Sequence, residues 1–330
     1  HFGGQMLRLG TGARARMLES SVTDQTPALG LALAQDKWLT SRLLLAIGLP
    51  ATVNERAKTS DEAVALAHRL GFPVVVKPCD KDQGQGVAAH LLSDDSVRQA
   101  FDAAWAVSKH VLVERHVEGF GYRLTLHDGH LLAVLKRIPG GVRGDGRLSV
   151  AELVARQLAS PEVRRQRNMG RVNLDAEALG LMAERGQGPD TVPAAGEFVL
   201  LRRRDNISAG GRLERIDPMT VHPDNLLAAQ RAARALHLDL AGIDFISPDI
   251  TRSWRDNGAA MCEVNARPQF GAGEHGDNYD RLLRRLLGDP LQIPVHLYLC
   301  RGDDEPGLQQ TLETLRDRLA VQAVSARGGV

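Results

Sequence analysis

The sequence has no excess of charge and few aromatic residues, and these shortages exclude nucleic-acid binding. Lysine and arginine together number 41, and aspartate and glutamate number 40, so the formal net charge is +1. Binding to nucleic acid would need a clustered basic excess. Aromatic residues make up 4% of the 330 residues, too few for the stacking surfaces that hold single strands. We therefore expect no nucleic-acid partner.

Cysteines are also scarce. Cys79, Cys262 and Cys300 are widely spaced and form no CxxC pair, which excludes a zinc ribbon and a disulfide framework. No run approaches the roughly 20 apolar residues that span a bilayer, and the first 30 residues lack the features of a signal peptide. We expect a cytoplasmic protein without a membrane partner. The near-zero charge and the apolar run at 294–299 allow a homo-oligomer.

Glycine, by contrast, is abundant. It accounts for 33 residues, above the usual share of about 7%, and much of it lies in short turns such as GQG and GGVRGDG. Hydrophobic residues make up 43% and charged residues 25%, as in ordinary globular proteins. This composition indicates an α/β enzyme with glycine-rich loops.

Periodicity predicts an α/β unit followed by antiparallel strands. Residues 1–35 show no clear period. Asp128-Gly129 suits a two-residue hairpin turn, and Ser149 with Glu152 forms a capping box. The predicted helices are 36–47, 61–70, 95–107, 149–158, 223–237, 279–287 and 307–319. The predicted strands are 72–78, 88–92, 110–117, the hairpin 122–138, 197–203, 211–216, 241–247, 259–265 and 293–299.

Asp244, Glu263 and Asn265 are candidate metal ligands. Asp244 interrupts the apolar strand AGIDFI, and a buried carboxylate is costly unless a cation or donor compensates it. Glu263 and Asn265 face the same side of their strand because side chains alternate. Such oxygen ligands suit Mg²⁺. The alternative is that Asp244 bonds to a turn and Glu263 pairs with an arginine.

Lys77 and the glycine loop behind it form a candidate phosphate site. Lys77 ends the run Val74–Val76, and Gly84 with Gly86 lets backbone N–H groups approach an anion closely. A GxG sequence alone is equally typical of a tight turn.

Other polar residues have two interpretations each. Glu114 can lie near a purine or be a charge on an edge strand, and Lys37 can bind phosphate or be a solvated charge. The run from Arg202 to Arg204 is ordinarily a solvated face. The turn from Asn206 through Ser208 to Gly211 can bind a carboxylate or only reverse the chain.

Taken in order, these motifs resemble the ATP-grasp ligases, and most closely the ATP-grasp region of the cyanophycin synthetases. The matching segments include DKWLTSRLL, GFPVVVKP, QGQGV, VLVERHVEGFGYRL, LKRIPGGVRGDG, DNISAGG, VHPDN, LAGIDFI and CEVNA, over about residues 5–270. The resemblance implies an α/β (α+β) ATP-grasp fold, in which two α/β subdomains grip ATP between antiparallel sheets.

The resemblance also implies a role for each candidate residue. Lys37 and Lys77 would hold ATP phosphates, with the loop Gln83, Gly84, Gln85, Gly86 and Val87 closing over them. Glu114 and the backbone at Val117 would contact adenine, and Asp244, Glu263 and Asn265 would hold Mg²⁺. Catalytic residues at the acyl-phosphate centre would be Arg123, Lys136, Arg137 and Arg202. The substrate would meet Asn206, Ser208, Gly210, Gly211 and Arg267.

The implied function is a carboxylate–amine ligase that uses ATP and Mg²⁺ to join amino-acid or short peptide substrates through an acyl phosphate. Two alternatives stay open: a phosphotransferase of the same fold, and an ATP-binding module without turnover. The second is suggested by Gln85, where the family usually has a basic residue, and by Gly121, where a ribose-binding acid is expected.

The resemblance further divides the chain into four parts. Residues 1–35 are expected to be the remnant of a preceding domain, 36–117 the small lid subdomain and 118–290 the large subdomain with the metal and substrate site. Residues 291–330 are expected to form a C-terminal strand and helix. This arrangement suggests a piece of a larger protein or a reduced member of the family.

Overall fold

The structure is a computed structural model. It describes residues 6–10, 15–81, 85–160, 171–203, 205, 210–269 and 277–288, together with 310 and 313. The strands are β1 (Met6–Leu9), β2 (Arg16–Glu19), β3 (Val22–Thr23), β4 (Asn54–Ala57), β5 (Val74–Pro78), β6 (Ala88–Leu91), β7 (Val111–Arg115), β8 (Phe120–His127), β9 (His130–Ile138), β10 (Gly141–Arg143), β11 (Phe198–Leu200), β12 (Arg212–Ile216), β13 (Leu240–Ser247) and β14 (Ala260–Asn265). The helices are α1 (Ala28–Gln35), α2 (Lys37–Ala46), α3 (Ser60–Leu70), α4 (Asp94–Val107), α5 (Val150–Ala159), α6 (Ala176–Ala183), α7 (Pro223–Ala235), α8 (Trp254–Asn257) and α9 (Asp277–Leu287).

The smaller sheet has four antiparallel strands in the order β4-β7-β5-β6. Helices α3 and α4 cover one face of it, and their apolar sides bury Val74, Val76, Val111 and Val113. Because side chains alternate along a strand, Val75, Lys77, Leu112 and Glu114 belong to the opposite face. That face is the one turned away from the apolar core of this sheet.

The larger sheet has five antiparallel strands in the order β12-β9-β8-β13-β14. Helix α7 packs on one face, where Leu124, Val134, Ile243 and Phe245 are completely buried. We call this the core face. Residues of the opposite parity, among them Arg123, Arg137 and Asp244, lie on the other face, which we call the site face. The predicted boundary at 117/118 falls between β7 of the smaller sheet and β8 of the larger one.

Two further clusters complete the described part of the chain. Helices α5 and α6 and the two-stranded sheet β10-β11 enclose a separate apolar core. Strands β1, β2 and β3 form a small sheet, and Leu18 of β2 packs with Leu132, Leu240, Leu282 and Leu286. Strands of two to four residues are too short to show a period. Helix α1, with the sequence ALGLALAQ, is apolar along nearly its whole length and has no polar face. For these two reasons residues 1–35 gave no signal.

Most predicted elements are confirmed to within a few residues. The turn at Asp128 and Gly129 has the positive φ values, 48° and 72°, that the hairpin requires. Strands β1 to β4 and β10 and helices α1, α6 and α8 were not predicted. The predicted strand at 293–299 and most of the predicted helix at 307–319 lie outside the described residues. No helix in the described ranges has the length and apolar character needed to cross a membrane.

Candidate functional site

Lys37 connects the two sheets. Asp36 caps α2 by accepting hydrogen bonds from the backbone N–H groups of Trp38 and Leu39, at 3.0 and 3.1 Å, which places Lys37 in the first turn. The Lys37 Nζ donates to the Lys81 carbonyl at 2.6 Å, beside the end of β5, and lies 3.3 Å from a Glu263 carboxylate oxygen in β14. One side chain therefore contacts both halves of the molecule.

In the smaller sheet, Lys77 and Glu114 form a buried ion pair. The Lys77 Nζ lies 2.7 Å from Glu114 Oε2, which also accepts hydrogen bonds from Thr52 Oγ1 at 2.7 Å and Asn54 Nδ2 at 3.3 Å. Burial opposes the lysine charge, but the Glu114 carboxylate outweighs it and raises the pKa of Lys77. The ammonium group therefore stays charged.

In the larger sheet, Asp244 is held by two arginines. Arg123 binds it with two N–H groups, Nε and Nη2, the latter at 2.8 Å, and Arg137 Nη2 approaches both carboxylate oxygens at 3.1 and 3.3 Å. Burial alone would raise the pKa of Asp244, but the two guanidinium groups lower it. Asn265 Nδ2 lies 3.5 Å from the same carboxylate.

A β-bulge at Cys262 puts Glu263 on the site face. Asp244 pairs with Glu263 but Phe245 pairs with Met261, so Cys262 is the extra residue between them. Without the bulge, Met261 and Glu263 would share one face, because their positions differ by two. With it, Met261 enters the core while Glu263 stands beside Asp244. The expected common face of Glu263 and Asn265 is confirmed.

Two glycines, which have no side chain, leave room for the charged residues around Asp244. A Cβ atom on Gly242 would lie 3.0 Å from Arg123 Cδ and 2.9 Å from Pro268 Cβ. A Cβ atom on Gly121 would lie 2.8 Å from Asp205 Oδ2. The site face can hold these charged side chains because both positions are glycine.

Asp205 is a site residue that the sequence did not suggest. Burial raises the pKa of this carboxyl group against the attraction of Arg137. Its sequence context, between an arginine run and a polar turn, gave no signal of a buried carboxyl group. Only the close approach to Gly121 brings it to the cluster around Arg137 and Asp244.

The structure separates Lys136 from Arg137. They are neighbours on β9 and therefore point to opposite faces. Arg137 reaches Asp244 on the site face, whereas the Lys136 Nζ lies 3.8 Å from the centre of the Phe120 ring. Lys136 is paired with Tyr122, a core-face residue. The expectation that both side chains face one catalytic centre is corrected by this alternation.

Arg202 and Arg267 contact other elements. Arg202 is buried and binds the Asp175 carboxylate at 2.7 and 3.0 Å, at the N-terminus of α6. Arg267 is exposed and pairs with Glu19 of β2 at 2.8 Å. Neither guanidinium is joined to Asp244, whose arginine partners in the described residues are Arg123 and Arg137. The roles predicted for Arg202 and Arg267 stay predictions.

The predicted loops are described in part. Gly86 has a positive φ of 67°, and a Cβ atom there would lie 3.0 Å from Pro78 Cγ, so glycine is required at this turn. Gln85 is exposed, Val87 and Val117 are half-buried, and Gly210 and Gly211 are buried. Gln83, Gly84, Asn206 and Ser208 lie outside the described residues.

The donor set fits a hard divalent cation. Asp244 and Glu263 are direct cross-strand neighbours, and Asn265 follows on the same face. Within the described ranges, no group of three or more His, Cys, Asp or Glu side chains can hold a metal. A cation here would rest on two carboxylates and one amide, and it would need oxygen atoms from a ligand to complete its shell.

Comparison with known proteins finds a matching domain family and similar proteins. Residues 32–124 match the family described as "ATP-grasp domain". The cyanophycin synthetase of Trichormus variabilis is 34% identical over 277 residues, which is 80% of this chain and 30% of that protein. The glutathione biosynthesis bifunctional protein of Streptococcus thermophilus is 32% identical over 246 residues, or 71% of this chain and 32% of that protein. The chain thus spans about a third of the length of these relatives.

A solved structure agrees on the fold. The bifunctional glutathione synthetase from Pasteurella multocida aligns with a TM-score of 0.57 and 24% identity, covering 85% of this chain and 40% of that one. This similarity in fold is consistent with the two antiparallel sheets described above and with Lys37 of α2 between them. This chain therefore has the ATP-grasp fold, its residues 32–124 match the ATP-grasp domain, and over four fifths of its length it is similar to the cyanophycin synthetases.

Proposed function

We propose that this chain is an ATP- and Mg²⁺-dependent carboxylate–amine ligase that acts on amino-acid or short peptide substrates. The reaction phosphorylates a carboxylate with ATP, and an amine then attacks the acyl phosphate, giving an amide and free phosphate. The similarity to ligases that join amino acids supports the proposal. The single observation that carries it is the contact of Lys37 with Glu263 at 3.3 Å, between the two sheets.

Phosphoryl transfer needs cations that bind phosphate and carboxylates that hold a metal ion, and the contact of a lysine with a carboxylate supports a site with both. Lys37 and Lys77 would bind phosphate oxygens, and Arg123 and Arg137 would face the carboxylate being activated. Asp244, Glu263 and Asn265 would hold Mg²⁺, which when bound neutralises phosphate charge. The protein's own part is positioning and electrostatic stabilisation, and it needs little acid–base chemistry.

The test is ADP release with ATP and Mg²⁺ over a panel of amino acids and N-acylated dipeptides, with mass spectrometry of the same samples. A ligase gives ADP together with a product one water lighter than its two substrates. Glu263→Gln should abolish both signals. An exposed substitution, Arg98→Gln, serves as the control, because Arg98 pairs with the exposed Asp61 far from this cluster in sequence.

Two other outcomes would name a different function. A phosphorylated carboxylate that accumulates without an amide would identify a phosphotransferase. A rise in melting temperature with ATP and Mg²⁺, but no ADP with any substrate, would identify a binding module without turnover. We also propose that the protein is a homo-oligomer and that it is located in the cytoplasm. Light scattering and cell fractionation test them.

A further inference from the structure

Every described charged group that the proposed function assigns to a ligand at the two sheets already has a protein partner. Lys77 pairs with Glu114, and Lys37 lies against Glu263. Asp244 is bound by both Arg123 and Arg137. The groups meant for phosphate and the groups meant for a divalent cation therefore neutralise one another in this state.

The pairing is buried, so breaking it is costly. The Lys77, Glu114 and Asp244 side chains are each at most 10% exposed, and those of Lys37 and Arg123 are 9% and 11% exposed. Removing one member of a buried pair leaves the other as an uncompensated charge that water cannot solvate. A ligand that binds only one member of a pair must therefore leave the other member buried and unpaired.

A divalent cation on its own would draw Asp244 away from two guanidinium groups and leave them unpaired. A polyphosphate on its own would draw the guanidinium groups away from Asp244 and leave the carboxylate unpaired. When both arrive, each released protein group meets an opposite charge. The Asp244 carboxylate then has the cation as its partner, and the two arginines have the phosphate groups as theirs.

We propose that these internal ion pairs couple the two ligands, so that the polyphosphate and the divalent cation bind well only in each other's presence. The inference rests on the proposed function, because it takes ATP and a divalent cation as the ligands. It adds that Arg123 and Arg137 compete with the cation for Asp244. By linkage, the cation must strengthen ATP binding by the same factor as ATP strengthens cation binding.

The chain offers a matched pair of variants for the anion half of this coupling. Asp244→Asn and Asp205→Asn remove the same formal charge near the same arginines. Asp205 makes no ion pair with Arg123 or Arg137, all three being described residues, whereas Asp244 pairs with both. Titration calorimetry at pH 8, with EDTA present, would measure the affinity of each variant for metal-free ATP.

We expect Asp244→Asn to bind metal-free ATP about tenfold more tightly than the wild type. Asp205→Asn should change this affinity less than about threefold, because it frees no arginine. Equal effects of the two substitutions would overturn the proposal, since charge removal alone would then explain them. Wild-type protein that binds metal-free ATP as tightly as ATP with Mg²⁺ would overturn it as well.

The cation half uses a different residue, so the test survives a folding defect in Asp244→Asn. Electron paramagnetic resonance would measure Mn²⁺ binding without nucleotide. Arg137→Gln should tighten it about tenfold, because Arg137 is 28% exposed and its removal opens the Asp244 carboxylate. The control Arg98→Gln should match the wild type. Equal Mn²⁺ affinities in all three proteins would contradict the proposal.

Failure of the proposed function looks different. Wild-type protein that binds ATP neither with nor without Mg²⁺ removes the nucleotide function and the coupling with it. Wild-type protein that binds ATP with Mg²⁺, while its variants show no difference, removes only the coupling.

Discussion

The carboxylates of Glu114 in the smaller sheet and Asp244 in the larger sheet are equally buried, at 3% and 4% exposure, but their partners differ. Glu114 has one cation, Lys77, and two neutral donors, Thr52 and Asn54. Asp244 has two cations and the amide of Asn265. Burial is thus the same at the two places, and the charge balance is not.

This difference gives the two regions different tasks. The pair in the smaller sheet is neutral, so its main contribution without a ligand is to keep two buried charges compensated. Asp244 has two arginine partners, and besides Asp205, whose ionisation burial opposes, an anionic ligand would balance the second positive charge. We therefore expect substitutions in the smaller sheet to change stability most and substitutions in the larger sheet to change ligand binding and turnover.

The largest effect should come from Lys77→Met, which leaves Glu114 buried without a cation. We expect the free energy of unfolding to fall by about 3–5 kcal/mol, measured by urea denaturation. Adding Glu114→Gln to the same protein should recover most of the loss, because it removes the uncompensated charge. If the single variant is as stable as the wild type, the neutral-pair interpretation is wrong.

The second effect concerns the larger sheet. Asp244→Asn should lower the turnover number for ADP release about 10²–10³-fold, the usual loss when one electrostatic group at a reaction centre is removed. Its free energy of unfolding should change less than that of Lys77→Met, because the new amide oxygen can still accept hydrogen bonds from the arginines, whereas methionine offers Glu114 no donor. The opposite order, with unfolding affected more than turnover, would remove the distinction between the two sheets.

The third effect tests the connection between the sheets, at Gly119. This residue has a φ of 134°, and a Cβ atom there would overlap the Ser247 backbone. Gly119→Ala should therefore lower the free energy of unfolding by about 2–3 kcal/mol. The control is Gly71→Ala, where φ is 82° and nothing lies within 4 Å of the new atom, so only about 1 kcal/mol of strain is expected. If both variants lost the same free energy of unfolding, the backbone would have moved to relieve the overlap at Gly119, contrary to this prediction.

The smallest effect is a pH dependence at Asp205. Burial raises the pKa of Asp205 in the folded protein, so its ionised form opposes folding at neutral pH and its protonated form does not. Asp205→Asn should therefore stabilise the protein at pH 7, by about 1 kcal/mol, and the gain should disappear below pH 4. Urea denaturation at both pH values measures it.

The opposite sign is expected at Asp244. The arginines outweigh burial and lower the pKa of Asp244, so the carboxylate stabilises the fold above the unfolded-state pKa of about 4. That contribution is lost as the pH falls through the folded pKa. A gain for Asp205→Asn that persisted at pH 3 would contradict this assignment of the two carboxyl groups.

Much of the molecule follows from local sequence. Asp128-Gly129 determines a hairpin turn because these residues adopt positive φ readily, and Ser149 with Glu152 determines a helix start because both side chains cap it. Alternation along β14 correctly put Glu263 and Asn265 on one face. The ordered motifs were sufficient to indicate the ATP-grasp fold, and LAGIDFI and CEVNA lie on the two strands that the pattern predicts.

The tertiary structure decided what alternation alone could not. The bulge at Cys262 arises from pairing with β13, and no local period shows that Met261 enters the core while Glu263 leaves it. Asp205 joins the site through its approach to Gly121, which is 84 positions away in the chain. The sequence determined which charged residues are present, but their partners depend on distances between strands, and these exist only after the sheets have formed.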